Sequence, residues 1–248
     1  MMKVLVCIDD TDNLDSMGTG ELAALISKEI QLKGWGKCRG ITRHQLLVHP
    51  DIPYTSHNSA MCFEADIDEL CLEALISCAC EMLKTNSAEG SDPGLCVVVP
   101  HLLPAPERLV AFGKKAKEMV LTKAEAYAFA SEMNIHLSEH GGTGQGVIGA
   151  LAGTGLRLGG NDGRYKGKLR LESDNNIILV KDIYAQSDVE VVKTLDGTIL
   201  DDNEAVILGE HLKAVLLNGK STLLVIPSED ASGKALWKTC SKQLLRAY

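Results

Sequence analysis

The sequence predicts an α+β fold, a mixed α/β main domain followed by a small β-rich C-terminal module. Three observations carry this. Apolar runs with strand and helix periodicity alternate through residue 133; ten of the 23 glycines fall between positions 141 and 163; beyond them the apolar runs are short, strand-like and separated by turn residues. The change of character divides the chain into residues 1–165 and 166–248.

The elements follow in order. Residues 3–8 are a Val-rich apolar run that ends abruptly in Asp9, as a buried strand entering a loop does. From Thr19, the spacing of Leu22, Ala23, Leu25, Ile26 and Ile30 predicts an amphipathic helix closed near Gly34, with Thr19 placed to cap it. Residues 41–49 form a weak strand that breaks at Pro50, and 60–65 a strand paired with it. A second helix spans 67–83, a turn 90–94, and an uninterrupted strand 95–99. Helical patterns follow at 105–120 and 122–133, the latter capped by Thr122 with Glu125 three positions on. The glycine stretch reads as a loop feeding a small-residue helix. After it come strand-like runs at 176–185, 189–195, 205–208 and 220–227, and a terminal helix at 232–245.

Composition excludes several classes. With 45% hydrophobic and 23% charged residues in 248, the chain is neither disordered nor fibrous. Its 33 acidic and 25 basic residues leave a net charge of −8, which argues against an extended nucleic-acid groove, and 4% aromatics leave little for base stacking. No apolar run is long enough for a membrane span, and the N-terminus lacks a signal-peptide pattern, so a cytoplasmic location is expected. None of the eight cysteines forms a CxxC pair, so structural zinc has no support and buried free thiols are expected.

Chemistry concentrates at two places. Asp9, Asp10 and Asp12 leave a buried strand together; three mutually repelling carboxylates suit a hard divalent cation such as Mg²⁺ better than a structural turn. Gly18-Thr19-Gly20 follows at a helix start, where amides and dipole favour an anion. A cation loop beside an anion-friendly helix start suggests a nucleoside triphosphate site, although no Walker A sequence is present. Gly144 and Gly146 of the glycine stretch offer further amides to phosphate, or else serve crowded helix–sheet packing. The polar loop 50–60, with Tyr54, His57 and Asn58, reads as a candidate substrate loop.

Taken in order, Ile8-Asp9-Asp10-Thr11-Asp12-Asn13, Met17-Gly18-Thr19, Arg43, Pro50-Asp51-Ile52-Pro53-Tyr54, His57-Asn58-Ser59-Ala60 and Gly146-Val147-Ile148-Gly149-Ala150-Leu151-Ala152 resemble the archaeal tRNA(Ile) agmatinylcytidine synthetase family over roughly residues 1–160. The resemblance implies a kinase-like nucleotide-binding domain using ATP and Mg²⁺ to activate a cytidine carbonyl, from which agmatine displaces phosphate. It implies metal ligands in Asp9, Asp10 and Asp12, an autophosphorylated Thr19, nucleotide contacts from Gly18, Gly20, Gly144 and Gly146, and substrate contacts from Tyr54, His57 and Asn58. Arg43 is the motif-linked cation placed to offset charge on a transferring phosphoryl group.

The chain also departs from that pattern. It lacks the CxxC pairs of the family's zinc ribbon, carries Thr55-Ser56-His57-Asn58-Ser59 where a basic residue and Gly-Asn-Gly are usual, and has Gly20 in place of a second Thr. The expectation is therefore an ATP/Mg²⁺-dependent phosphotransferase or ligase-like enzyme acting on a small or nucleoside-like substrate, with tRNA disfavoured as a partner by charge. The alternatives are a non-catalytic nucleotide- or metal-binding module and an RNA-binding accessory protein.

Overall fold

The first apolar run folds as β1 (Met2–Asp9), in which only Lys3 faces solvent. In the computed structural model, which describes residues 1–52, 57–173, 175–229 and 235–248, the chain forms two compact units, Met1–Gly159 and Gly160–Tyr248. The change in sequence character falls a few residues later, at 165/166.

In the first unit β1 is followed by α1 (Thr19–Leu32), β2 (Gly36–Cys38), β3 (Thr42–Gln45), β4 (Ser59–Ile67), α2 (Leu72–Asn86), β5 (Gly94–Val98), α3 (Pro106–Lys115), α4 (Lys123–Glu132), β6 (His136–Glu139) and α5 (Gly146–Gly159). The strands pair antiparallel in the order β6-β5-β1-β4-β3, with β2 also against β4. Because β1 is central, its alternating side chains feed two cores. Val4, Val6 and Ile8 meet Leu22, Ile26 and Ile30 of α1 and Leu75 and Leu83 of α2, while Leu5 and Cys7 join residues of α3, α4 and α5 on the other face. The capping box expected at Thr122 is present, with Glu125 N donating to Thr122 Oγ1 at 3.2 Å and Thr122 N to Glu125 Oε2 at 2.9 Å.

α5 explains part of the glycine stretch. A Cβ on Gly153 would stand 2.7 Å from Cys7 Sγ and from Ala60 Cβ, and one on Gly155 would run into the Leu109 carbonyl of α3. The helix lies that close because the sheet beneath it is paved with small side chains: Cys7 is in register with Cys62 on one side and Cys96 on the other. All eight cysteines are free, and Cys7, Cys62, Cys96 and Cys240 are buried. Burial also pushes the Cys7 and Cys96 thiols up, so both stay protonated and serve packing.

The second unit contains β7 (Arg164–Tyr165), β8 (Ile177–Leu179), α6 (Val180–Gln186), β9 (Val191–Thr194), β10 (Ala205–Ile207), β11 (Val215–Leu217), β12 (Lys220–Glu229) and β13 (Ala235–Thr239), in the order β7-β11-β12-β13-β10-β8, with β9 parallel to β12. Asn218-Gly219, both at positive φ (50° and 72°), close the β11–β12 hairpin with the twist such turns favour.

Two expectations fail here. The run 176–185 is a strand only through Leu179; Val180 and Ile183, three apart, are buried on a helix instead. Its β-branched residues give it strand character, but burial follows helical spacing. The terminal helix expected at 232–245 is replaced by β13, paired with β12 and β10, and a short 3-10 turn at Leu244–Ala247. Tertiary pairing overrides a weak local pattern there. No helix among the described residues is long and apolar enough to cross a membrane.

Candidate active site

The site grows from the end of β1. Asp9 is 8% exposed, and the chain turns immediately after it, Asp10 taking a left-handed conformation (φ 51°) that short polar side chains tolerate. Burial, then the neighbouring Asp10 and Asp12 charges, push the Asp9 carboxyl up to about 8. Burial, then Asp92 and Asp12, raise Asp10 to about 6. Each shift records a carboxylate in need of a cation.

Thr19 does not cap α1. Gly18, in extended conformation, is the N-cap and supplies no side chain, and Thr19 is the first helical residue. Its hydroxyl is committed sideways: Oγ1 accepts from Thr11 Oγ1 at 3.1 Å and donates to Asp12 Oδ1 at 3.2 Å. The cap expectation fails because the loop Asp10–Asp12 folds back over the helix start and claims the hydroxyl. Thr19→Ala is therefore expected to lower stability by about 1–2 kcal/mol, the scale of two lost buried hydrogen bonds, and Thr19→Ser to restore most of it. Chemical denaturation of the two variants checks this.

A cavity of about 600 Å³ opens beside the acidic loop. Asp9, Asp10, Asp12, Gly18, Thr19 and Gly20 line it, as do Arg43, His57, Asn58, Gly146 and Gly149, with Leu46, Met61, Val120, Leu121 and Ile148 forming apolar wall. Arg43 Nε donates to Ser59 Oγ at 2.9 Å, and its guanidinium also donates to Gln45 Oε1 at 3.2 Å. Asn58 spends its side-chain amide on Leu47 O at 2.6 Å, fixing the chain that leaves β3. Tyr54 lies outside the described residues. Gly144 is not on the cavity wall; its N–H donates to Asp92 Oδ1 at 3.2 Å, and the Gly146 N–H donates to Asp92 O at 3.0 Å.

Three residues of this region were not singled out in the sequence. Gly149 faces Asp9 so closely that a Cβ would overlap the carboxylate. Asp92, read only as part of a turn, organises the loop before α5. Lys123 reaches Glu139 Oε2 and Thr143 O, each at 2.8 Å. Its signal was available: a lysine at the first position of a helix opposes the macrodipole and calls for a local reason.

Among the described residues no three His, Cys, Asp or Glu side chains are grouped to hold a metal ion by themselves. Mg²⁺ commonly takes only one or two carboxylates and completes its octahedron with waters and substrate phosphates. The all-oxygen donor set of Asp9, Asp10 and Asp12, with Asp9 buried and repelled by its neighbours, fits such a shared site.

The proteins that this chain resembles are synthetases acting on an isoleucine tRNA. It is 30% identical over 163 residues to the tRNA 2-agmatinylcytidine synthetase TiaS of Thermococcus sibiricus, covering 64% of this chain and 36% of that protein. The crystal structure of TiaS in complex with its tRNA and ATP matches 62% of this chain and 36% of that one, with 31% identity and a TM-score of 0.55. The resemblance read from the motifs is thus found independently. The matched stretch spans little more than a third of these relatives. The crystal structure of apo TiaS, described as a tRNA agmatidine synthetase, shares the fold over 97% of this chain and 69% of that one, at 20% identity and a TM-score of 0.54. No family model matches the chain.

Proposed function

We propose that the first unit binds ATP with Mg²⁺ and uses it in a ligase-like reaction that activates a carbonyl on a nucleoside-like substrate. The observation that carries this reading is the placement of Asp9, Asp10 and Asp12 on one cavity wall with the N-terminus of α1. Bound Mg²⁺ would supply charge neutralisation at the phosphates. The carboxylates would hold it, the amides of Thr19 and Gly20, which precede the helical ladder, would face phosphate oxygens, and Arg43 would offset charge on the transferring group. Thr19 is the proposed phosphoryl acceptor within the protein; with labelled ATP and Mg²⁺, label is expected on the peptide containing Thr19 and not in Thr19→Ala. Phosphate release dependent on an added amine and a cytidine-containing substrate supports the full reaction. Metal-dependent ATP binding without any turnover supports the alternative of a non-catalytic nucleotide-binding module.

The relatives named above make RNA the candidate carrier of that nucleoside. The net charge of −8 is a weaker obstacle than it first looks, because seven of those charges belong to residues 1–159 and one to 160–248. In the second unit Arg164, Lys166, Lys168 and Arg170 fall within seven positions, with Lys168 and Arg170 exposed, while Leu169 and Leu171 pack inward. If this strip meets RNA phosphates, Lys168→Ala and Arg170→Ala should each reduce the slope of log affinity against log salt by about 0.7–0.9 without changing sequence preference. Unchanged slopes would remove the strip from the interface.

A further inference from the structure

The glycine loop ahead of α5 already holds an anion, and it comes from the same chain. Gly142 and Gly144 are at positive φ (55° and 77°), a geometry that turns successive amides toward one point. The Asp92 carboxylate occupies that point. Its Oδ1 accepts from the N–H groups of Thr143 and, at 3.2 Å, Gly144, and its Oδ2 accepts from Thr143 Oγ1 at 2.7 Å. The Asp92 carbonyl takes the N–H of Gly146, where α5 starts. From the other side Lys123 Nζ donates to Thr143 O at 2.8 Å. There is no room to rearrange cheaply: a Cβ on Gly142 would collide with the Asp92 carboxylate, and one on Gly94 with the backbone of Gly146.

We infer that Asp92 is a positioning residue that fills the anion seat of the loop formed by residues 141–144, so that a nucleotide's phosphates are received at Gly18–Gly20 and not at Gly144. The inference rests on the ATP reading for its consequence, but not for its physical basis. A glycine loop with an open seat beside a carboxylate cluster would bind phosphate without metal, in competition with the metal-bound orientation. An internal carboxylate closes that option and fixes the start of α5, which carries Gly146 and Gly149 onto the cavity wall. Asp92 also stands close enough to Asp10 to raise its affinity for protons, so the seat and the acidic cluster share one electrostatic neighbourhood.

The test uses the full ¹⁵N-labelled chain and inorganic phosphate without Mg²⁺. In the wild type the Thr143 and Gly144 amide resonances are expected not to respond. In Asp92→Ala they should shift in a saturable manner as phosphate enters the vacated seat, and in Asp92→Asn, which keeps the shape and loses the charge, they should again be silent or respond at least about tenfold more weakly. Amide dispersion outside residues 139–150 reports that each variant is folded. Wild-type amides that shift with phosphate, or a folded Asp92→Ala that gives no response at these two amides, would overturn the inference. Mg²⁺-ATP binding to the wild type, measured separately, reports on the ATP reading, so the two failures are distinguishable.

Discussion

Asp9→Asn is expected to weaken Mg²⁺-ATP binding by at least about tenfold, roughly 1.4 kcal/mol, while making the ligand-free protein more stable at pH 8. Both effects have one cause. The Asp9 carboxyl is buried beside Asp10 and Asp12, and its affinity for protons rises from the ordinary 3.8 to about 8. A group raised in the folded state contributes stability that is fully present below about 3.8 and is lost as pH climbs through about 8. Within that window the folded state gives up about 1.4 kcal/mol per pH unit to this group. Asparagine never ionises, so the melting temperature of Asp9→Asn should fall less between pH 5 and pH 8 than that of the wild type. Mg²⁺ with ATP should offset the wild-type loss and leave the variant unaffected. A variant less stable than wild type at pH 8, with unchanged nucleotide affinity, would make Asp9 a structural hydrogen-bonding residue and nothing more.

Gly155→Ala should cost about 3 kcal/mol, although alanine is intrinsically the better helix residue. The reason is backbone on the far side: the new Cβ would overlap the Leu109 carbonyl and stand 3.2 Å from Gly113 N, so α3 would have to move as a body. Gly159→Ala is the matched comparison, because its Cβ meets only the Val110 side chain, at 3.0 Å, and a rotamer change relieves it. Urea denaturation of both variants should give a large loss for the first and about 1 kcal/mol or less for the second. Equal, small losses would mean that α3 and α5 are not locked by this contact.

These two residues mark how far the sequence could be read. Asp9 was legible because a strand that is buried to its last residue and then releases three carboxylates is costly unless something binds there. The capping box of α4 was legible because both partners lie within four residues. Gly155 was not separable from Gly146 and Gly149: all belong to one small-residue stretch, and only the packing of α5 shows that the first turn faces the cavity while the later turns face α3 and the sheet. Asp92 was hidden because its partner Thr143 lies 51 positions away, and an Asp-Pro-Gly sequence has an adequate local explanation as a turn. The second unit was misread where strand pairing between distant segments, as in β13 with β10, decided conformation against a weak local pattern.

If the acidic end of β1 and the start of α1 form a metal-dependent nucleotide site, ATP affinity must depend on the metal. Isothermal titration of the 248-residue chain with ATP, in Mg²⁺ and again in excess chelator, tests this most directly. The expected result is saturable binding in Mg²⁺ that weakens by at least about tenfold when the metal is removed, the factor equivalent to roughly 1.4 kcal/mol. Binding of equal affinity in chelator, or no binding of ATP under either condition, would contradict it.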